Sequence, residues 1–125
     1  MVRQARTIDL SRRRILVVED EAAIALDLER LLREYGATVI GPVPSADQAL
    51  GHIVRTHLHC ALLDVKLSHG DCGTVAQALT WNAVPFAFVT GYSDSELVAR
   101  YSWSPVLVKP YIAIDVIDCI ETLLA

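Results

Sequence analysis

A chain of 125 residues with 53% hydrophobic content has room for one domain and enough apolar side chains to fill its core. No apolar stretch approaches the roughly 18–20 residues needed to span a bilayer, and the basic N-terminus has no apolar segment behind it, so the expectation is a soluble cytoplasmic protein without a second, output domain. The formal charge of −4 is unevenly placed: Arg3, Arg6, Arg12, Arg13 and Arg14 stand against Asp9 in the first 14 residues, a net +4 that leaves −8 on the rest.

Residues 1–13 read as a flexible basic arm and 14–125 as the folded domain. Such an arm suits an acidic or nucleic-acid surface, but a solvated leader is the simpler reading. The first strand is the apolar run Ile15-Leu16-Val17-Val18, closed by Glu19-Asp20. A helix follows from near Glu21, with Ala25, Leu28, Leu31, Leu32 and Tyr35 on one face and Gly36 placed to end it. The second strand, Thr38-Val39-Ile40, stops at Gly41-Pro42. Ser45-Ala46-Asp47-Gln48 then reads as a capping box for a helix through Ala49, Ile53 and Val54.

His57-Leu58-His59 leads into the third strand, Cys60-Ala61-Leu62-Leu63, which ends in Asp64. A polar loop from Val65 to Gly73 precedes a helix through Val75, Ala76 and Leu79. The fourth strand, Phe86-Ala87-Phe88-Val89, closes on Thr90-Gly91-Tyr92, and Ser93-Asp94-Ser95-Glu96 caps a short helix that ends before Trp103. The fifth strand, Val106-Leu107-Val108, closes on Lys109-Pro110, and a last helix runs from about Ile112 to Leu124. Strands alternating with helices predict a (βα)5 unit with a parallel sheet.

In an open parallel sheet the C-terminal strand ends form the ligand crevice, and four runs each deliver a polar group there. Three carboxylates at one crevice repel one another unless a divalent cation neutralises them, and magnesium, an oxygen-seeking ion, is the expected one. A lysine and a threonine facing the same ion point to a phosphoryl group, whose oxygens metal, ammonium and hydroxyl can together neutralise.

These residues in this order resemble the receiver domain of bacterial two-component response regulators, over about Arg14 to Leu124. The resemblance implies a flavodoxin-like three-layer α/β/α sandwich with strand order 2-1-3-4-5. It further implies that Asp64 accepts a phosphoryl group from a histidine kinase or phosphotransfer protein. Asp20 would bind Mg2+ directly, Glu19 largely through water, and Asp64 and the backbone carbonyl of Lys66 would complete the protein ligands. Thr90 would hydrogen-bond the phosphoryl group, Lys109 would pair with it, and a cis bond to Pro110 would aim Lys109 inward. Val106 stands where many receivers carry Tyr or Phe. Phe88-Val89-Thr90-Gly91-Tyr92 resembles the Phe-Ala-Thr-Gly-x-Tyr strand end of some single-domain receivers, with the tyrosine one residue early. Lys66 and Tyr92 would flank the acyl phosphate, Tyr92 as gate, docking residue or plain packing.

The function expected is a stand-alone regulator, relay or phosphate sink rather than an enzyme in the ordinary sense, and the alternative is a pseudo-receiver that binds partners without phosphorylation. A metal-dependent phosphatase of similar topology would want an acid where Lys66 stands, and a flavin module would be repelled by Glu19-Asp20-Glu21. The acidic domain, with no helix-turn-helix, predicts no DNA binding. Cys60, Cys72 and Cys119 fit no zinc spacing and imply a reduced intracellular chain, and His57 with His59 lacks a second ligand pair. His69 reads as a surface-loop histidine and His52 as helix surface, while Trp81 and Trp103 are expected to be partly buried. In the last helix Ile112, Val116, Cys119, Ile120 and Leu123 should pack on the sheet, while Ile114, Ile117 and Leu124 widen the apolar face toward an effector or a weak homodimer.

Overall fold

The computed structural model describes residues 8–67, 70–91 and 96–125. In chain order the elements are β1 (Arg14–Val18), α1 (Ala22–Glu34), β2 (Thr38–Val43), α2 (Ala46–Arg55), β3 (Cys60–Asp64), β4 (Lys66–Leu67), β5 (Gly70–Asp71), α3 (Gly73–Trp81), β6 (Phe86–Thr90), α4 (Glu96–Arg100), β7 (Val106–Val108) and α5 (Ala113–Leu124). The short β4 and β5 pair antiparallel as a small ribbon beside the main sheet. The sheet runs β2-β1-β3-β6-β7, all parallel, which places its five strands in the flavodoxin-like order 2-1-3-4-5.

Alternation along each strand divides the core in two. Leu16, Val18, Ala61, Leu63, Phe86 and Phe88 face the side covered by α2, α3 and α4. Ile15, Val17, Cys60, Leu62, Ala87 and Val89 face the side covered by α1 and α5. Each buried Val, Leu or Ile contributes about 1.5–3 kcal/mol, so β1, β3 and β6, apolar on both faces, anchor the three layers. Cys60, Cys72 and Cys119 are free and buried, and burial pushes the Cys60 and Cys119 thiols up to about 12 and about 11.

Several expectations change. The packed body includes residues 8–13, which the charge pattern assigned to the arm: Leu10 is buried at 1% exposure, its N–H donates to the Tyr35 carbonyl, and Asp9 Oδ1 accepts from the Ser11 N–H and hydroxyl. Residues 1–7 of that arm lie outside the described residues. β2 continues through Gly41-Pro42 to Val43 rather than stopping there. On this edge strand a proline forfeits no essential ladder bond, and Gly41 takes φ +92, where an added Cβ would sit 2.7 Å from the Val43 nitrogen. The register shifts between Leu16 and Val18, and the Glu19 N–H then donates to the Val43 carbonyl.

In α2 the Ser45 hydroxyl accepts from the Gln48 N–H, Ala49 and Ile53 are buried, and Val54, one residue off that stripe, is 80% exposed. In α5 the buried set is Val116, Ile117, Cys119, Ile120 and Leu123. Ile112 precedes the helix as its N-cap, off the helical stripe, and is exposed, whereas Ile117 belongs to the core rather than to a margin. Trp81 and Trp103 are mostly exposed because Trp81 is the last residue of α3 and Trp103 sits in the turn that follows α4. His59 is tied down structurally: its Nδ1 accepts the Arg14 N–H at 2.9 Å and its ring meets His57 edge-on.

Leu10→Ala is expected to lower stability by about 2–4 kcal/mol in urea unfolding, the range for deleting a buried leucine side chain. Burial, then His57, Arg13 and Arg14, hold the His59 imidazole below its ordinary value of 6.5. The neutral ring's contribution is therefore complete above about pH 6.5, the unfolded value, and is lost as pH falls through the lower folded value. His59→Asn, which keeps an acceptor but does not titrate there, should show a smaller stability loss than wild type between pH 7.5 and 5.

Candidate functional site

The site forms where strand direction and alternation coincide. β1 ends at Val18 beside Leu63 of β3, so Glu19 and Asp20 emerge next to Asp64, the last residue of β3. Asp64 is paired with Val89 and Thr90 with Val108, which brings the ends of β6 and β7 to the same rim. The Lys109 N–H donates to the Thr90 carbonyl at 2.8 Å, and the Lys109-Pro110 peptide is cis, as the resemblance implied.

Glu19, Asp20 and Asp64 offer carboxylate oxygens that all lie within 4.8 Å of one another, the one cluster of metal-ligand type among the described residues. Lys109 Nζ stands 3.4 Å from Glu19 Oε1 and 3.6 Å from Asp64 Oδ2. Asp64 Oδ1 accepts the Lys66 N–H at 3.1 Å, and Glu19 Oε2 accepts the Glu21 N–H at 3.2 Å. Glu19, Asp64 and Thr90 are buried polar residues; Glu19 Oε1, fully buried, has the Lys109 ammonium 3.4 Å away as an ion-pair partner but forms no hydrogen bond.

Burial first, and then the facing Asp64 carboxyl, push Glu19 up to about 7, against the pull of the Glu21 N–H and Lys109. Burial works against the Lys109 ammonium, but Asp64 and Glu19 outweigh it and raise its value. Tyr111 is pushed up to about 12 by burial and then by Glu19, Asp27 and Asp64. One lysine between two carboxylates does not neutralise three, and an orphaned buried carboxylate oxygen within such a cluster fits an oxygen-seeking divalent cation.

The structure therefore brings Glu19, Asp20, Asp64 and Lys109 together, sets the Lys66 backbone against Asp64, and buries Thr90 at the same rim. His57 and His59 lie at the opposite strand ends, before β3. Tyr92, His69 and the Ser93–Ser95 part of the capping motif lie outside the described residues. Tyr111 was not singled out from the sequence; with Ile24, Asp27 and Pro110 it walls a hollow of about 490 Å³ beside Lys109. Its position directly after Lys109-Pro110 was the available signal. Val106, in the aromatic's usual place, is half-buried against the cluster that contains Phe88 and Tyr101.

Fold and site together define an open parallel α/β sandwich with an acidic crevice at the strand ends. The chain belongs to the response regulator receiver domain family, whose family model matches residues 15–118. It is 31% identical over 113 residues to the transcriptional regulatory protein PdtaR of Mycobacterium tuberculosis, covering 87% of this chain and 55% of that protein. It is 33% identical over 89 residues to the phyllosphere-induced regulator PhyR of Methylorubrum extorquens, covering 69% of this chain and 33% of that one. The chain thus spans about half the length of PdtaR and a third of PhyR. The solution structure of SdrG from Sphingomonas melonis Fr1 superposes with a TM-score of 0.79 at 34% identity, covering 97% of this chain and all of SdrG, and a structure of SdrG in its BeF3-activated conformation with 0.77 at 37% identity, covering 92% and 98%. No helix among the described residues is long and apolar enough to cross a membrane.

A carboxyl raised from 4.5 to about 7 favours folding below about pH 4.5, and that contribution is lost as pH rises through 7. In metal-free buffer Glu19→Gln should therefore be more stable than wild type at pH 8, with the difference shrinking toward pH 5 when followed by urea unfolding.

Proposed function

We propose that this receiver domain takes a phosphoryl group on Asp64 from a histidine kinase or phosphotransfer protein, and that the added charge changes a protein contact. The observation that carries this reading is Asp64 held at both oxygens: Oδ1 by the Lys66 N–H and Oδ2 by Lys109 Nζ, 3.6 Å away. A carboxylate fixed in this way meets a phosphoryl donor in a defined orientation. An oxygen of Asp64 forms the new O–P bond as the P–N bond of the phosphohistidine breaks; the electron pair of that bond stays on the imidazole nitrogen, which takes up a proton from water. Lys109 then pairs with a phosphoryl oxygen, and the Thr90 hydroxyl donates to another. Both groups stabilise charge that develops during the transfer.

Glu19, Asp20, Asp64 and the Lys66 carbonyl are the groups proposed to hold Mg2+, which when bound supplies positive charge to the phosphoryl oxygens. The buried orphan oxygen of Glu19 supports that assignment. So does a magnesium ion in the active site cleft of the receiver domain of the Pseudomonas aeruginosa sensor kinase PA1611, a fold neighbour of 20% identity. That SdrG has a BeF3-activated conformation supports control by a phosphoryl mimic. The output contact is proposed at the β7–α5 edge, where Val108 and Ile112 are exposed, for an effector or a second copy. Relay, regulator and phosphate sink all remain within this chemistry, in the cytoplasm and with no nucleic acid.

Incubation with acetyl phosphate and Mg2+ is expected to add one phosphoryl group by intact mass, and Asp64→Asn or chelation should abolish the adduct. Lys109→Ala should cut the adduct at least tenfold while leaving the fold intact by circular dichroism. A folded wild-type protein that never gains the adduct would point to the phosphorylation-independent interaction module.

A further inference from the structure

At the N-terminal ends of the strands, the pole opposite Asp64, two hollows lie side by side. One, of about 330 Å³, is lined by residues that include Val54, Arg55, Thr56, His57 and Asn82. The other, of about 380 Å³, lies among Pro85, Phe86, Trp103, Pro105 and Leu123. Ala83 and Val84 belong to both walls, so the two are one groove with a cationic half and an apolar half. Ala83 adopts φ 57, the left-handed turn between α3 and β6 that shapes the shared wall.

The rim is unusual in composition. Val54, Trp81 and Trp103 are 80%, 78% and 67% exposed, the three most exposed large hydrophobics among the described residues. Trp81 sits between Thr80 and Asn82, each a wall residue of one hollow. Arg55 is the one lysine or arginine on the walls, His57 stands beside it edge-on to His59, and no acidic side chain lines either hollow among the described residues. Exposed tryptophan beside arginine is the composition of a protein-binding hot spot, and a combined volume of this order suits a few side chains.

We propose that this groove binds a short extended peptide segment of a partner protein that carries acidic residues next to aliphatic or aromatic ones. The acid meets Arg55 and His57, and the apolar side chains fill the space beside Trp103. Charge selects this occupant. Residues 1–7 of this chain carry Arg3 and Arg6 and no acid, so their sequence lacks the charge that Arg55 would pair with. A two-fold pairing of copies through the groove would offer Arg55 no carboxylate, since no acidic side chain lines either hollow among the described residues. A long polyanion meets a domain that is −8 outside its first 14 residues, and along the groove it finds Arg55 as the one lysine or arginine among the described residues.

Both tryptophans of the chain lie at this pole, so indole emission reports on it directly. Tryptophan-free pentapeptides are titrated into the wild-type chain and into Asp64→Asn: two acidic or two basic residues beside Leu-Phe-Leu, and two acidic residues beside Gly-Ser-Gly. The acidic apolar peptide should shift emission to the blue saturably, at least tenfold more tightly than either control and equally in Asp64→Asn. The exposed-site substitutions Arg55→Glu and Trp103→Ala should each weaken it at least tenfold. Equal binding of the basic peptide, no saturable shift, or retention in Arg55→Glu overturns the proposal. Tighter quenching by oligo-dT would replace the peptide with nucleic acid, and a blue shift that grows with protein concentration alone would replace it with a second copy. Because Asp64→Asn is one arm, a protein that never phosphorylates leaves this result interpretable.

Discussion

The arrangement depends on the Lys109 ammonium lying between the carboxylates of Glu19 and Asp64 at the rim of a dry sheet. Two unit charges 4 Å apart interact by about 4 kcal/mol at an effective dielectric near 20, so a cluster of buried acids without a cation would drive its own protonation. The lysine relieves part of that repulsion, while burial first and then the facing Asp64 carboxyl keep Glu19 raised. The residual imbalance is a physical reason for the site to accept a divalent cation. The backbone serves the same end, since the Lys109 N–H on the Thr90 carbonyl locks the lysine's strand to its neighbour.

That constraint explains why β1, β3 and β6 are apolar on both faces. Strands buried on two sides do not fray, and their last residues then sit at fixed heights along a common rim. The polar positions begin where the apolar runs end, so packing energy and site geometry share the same residues. The helices contribute mainly by closing the two core clusters over either face of the sheet.

The molecule is also polarised along its strands. Glu19, Asp20 and Asp64 gather at the C-terminal strand ends, whereas Arg12, Arg13, Arg14, Arg55, His57 and His59 gather at the other, with Asp9 and Glu34 among them. A five-residue strand separates the poles by roughly 16 Å, beyond the Debye length of about 8 Å at physiological salt. The two ends therefore present nearly independent electrostatic surfaces, one a buried cluster with its own lysine and the other an exposed basic rim set with two tryptophans.

Strand runs, their order and the polar residue closing each were legible in the sequence, because apolar runs and period-2 alternation are local properties that burial on both faces enforces. The positions of Glu19, Asp20, Asp64, Thr90 and Lys109 followed from strand ends alone. Helix faces were less legible: Val54 and Ile117 differ from expectation because a change of one residue turns a side chain by 100°, and only the neighbouring strand decides which side is covered. Leu10 and Tyr111 were missed because their burial comes from contacts distant in sequence, with Tyr35 across the α1 turn and with the α1 face near Asp27. The sequence by itself thus determined which residues meet at the acidic crevice, since in a parallel sheet strand direction carries every C-terminal end to one rim. Only the tertiary structure decided how those charges are paired, where β2 ends and which aromatic residues remain in water, since each depends on distances between segments that no local pattern encodes.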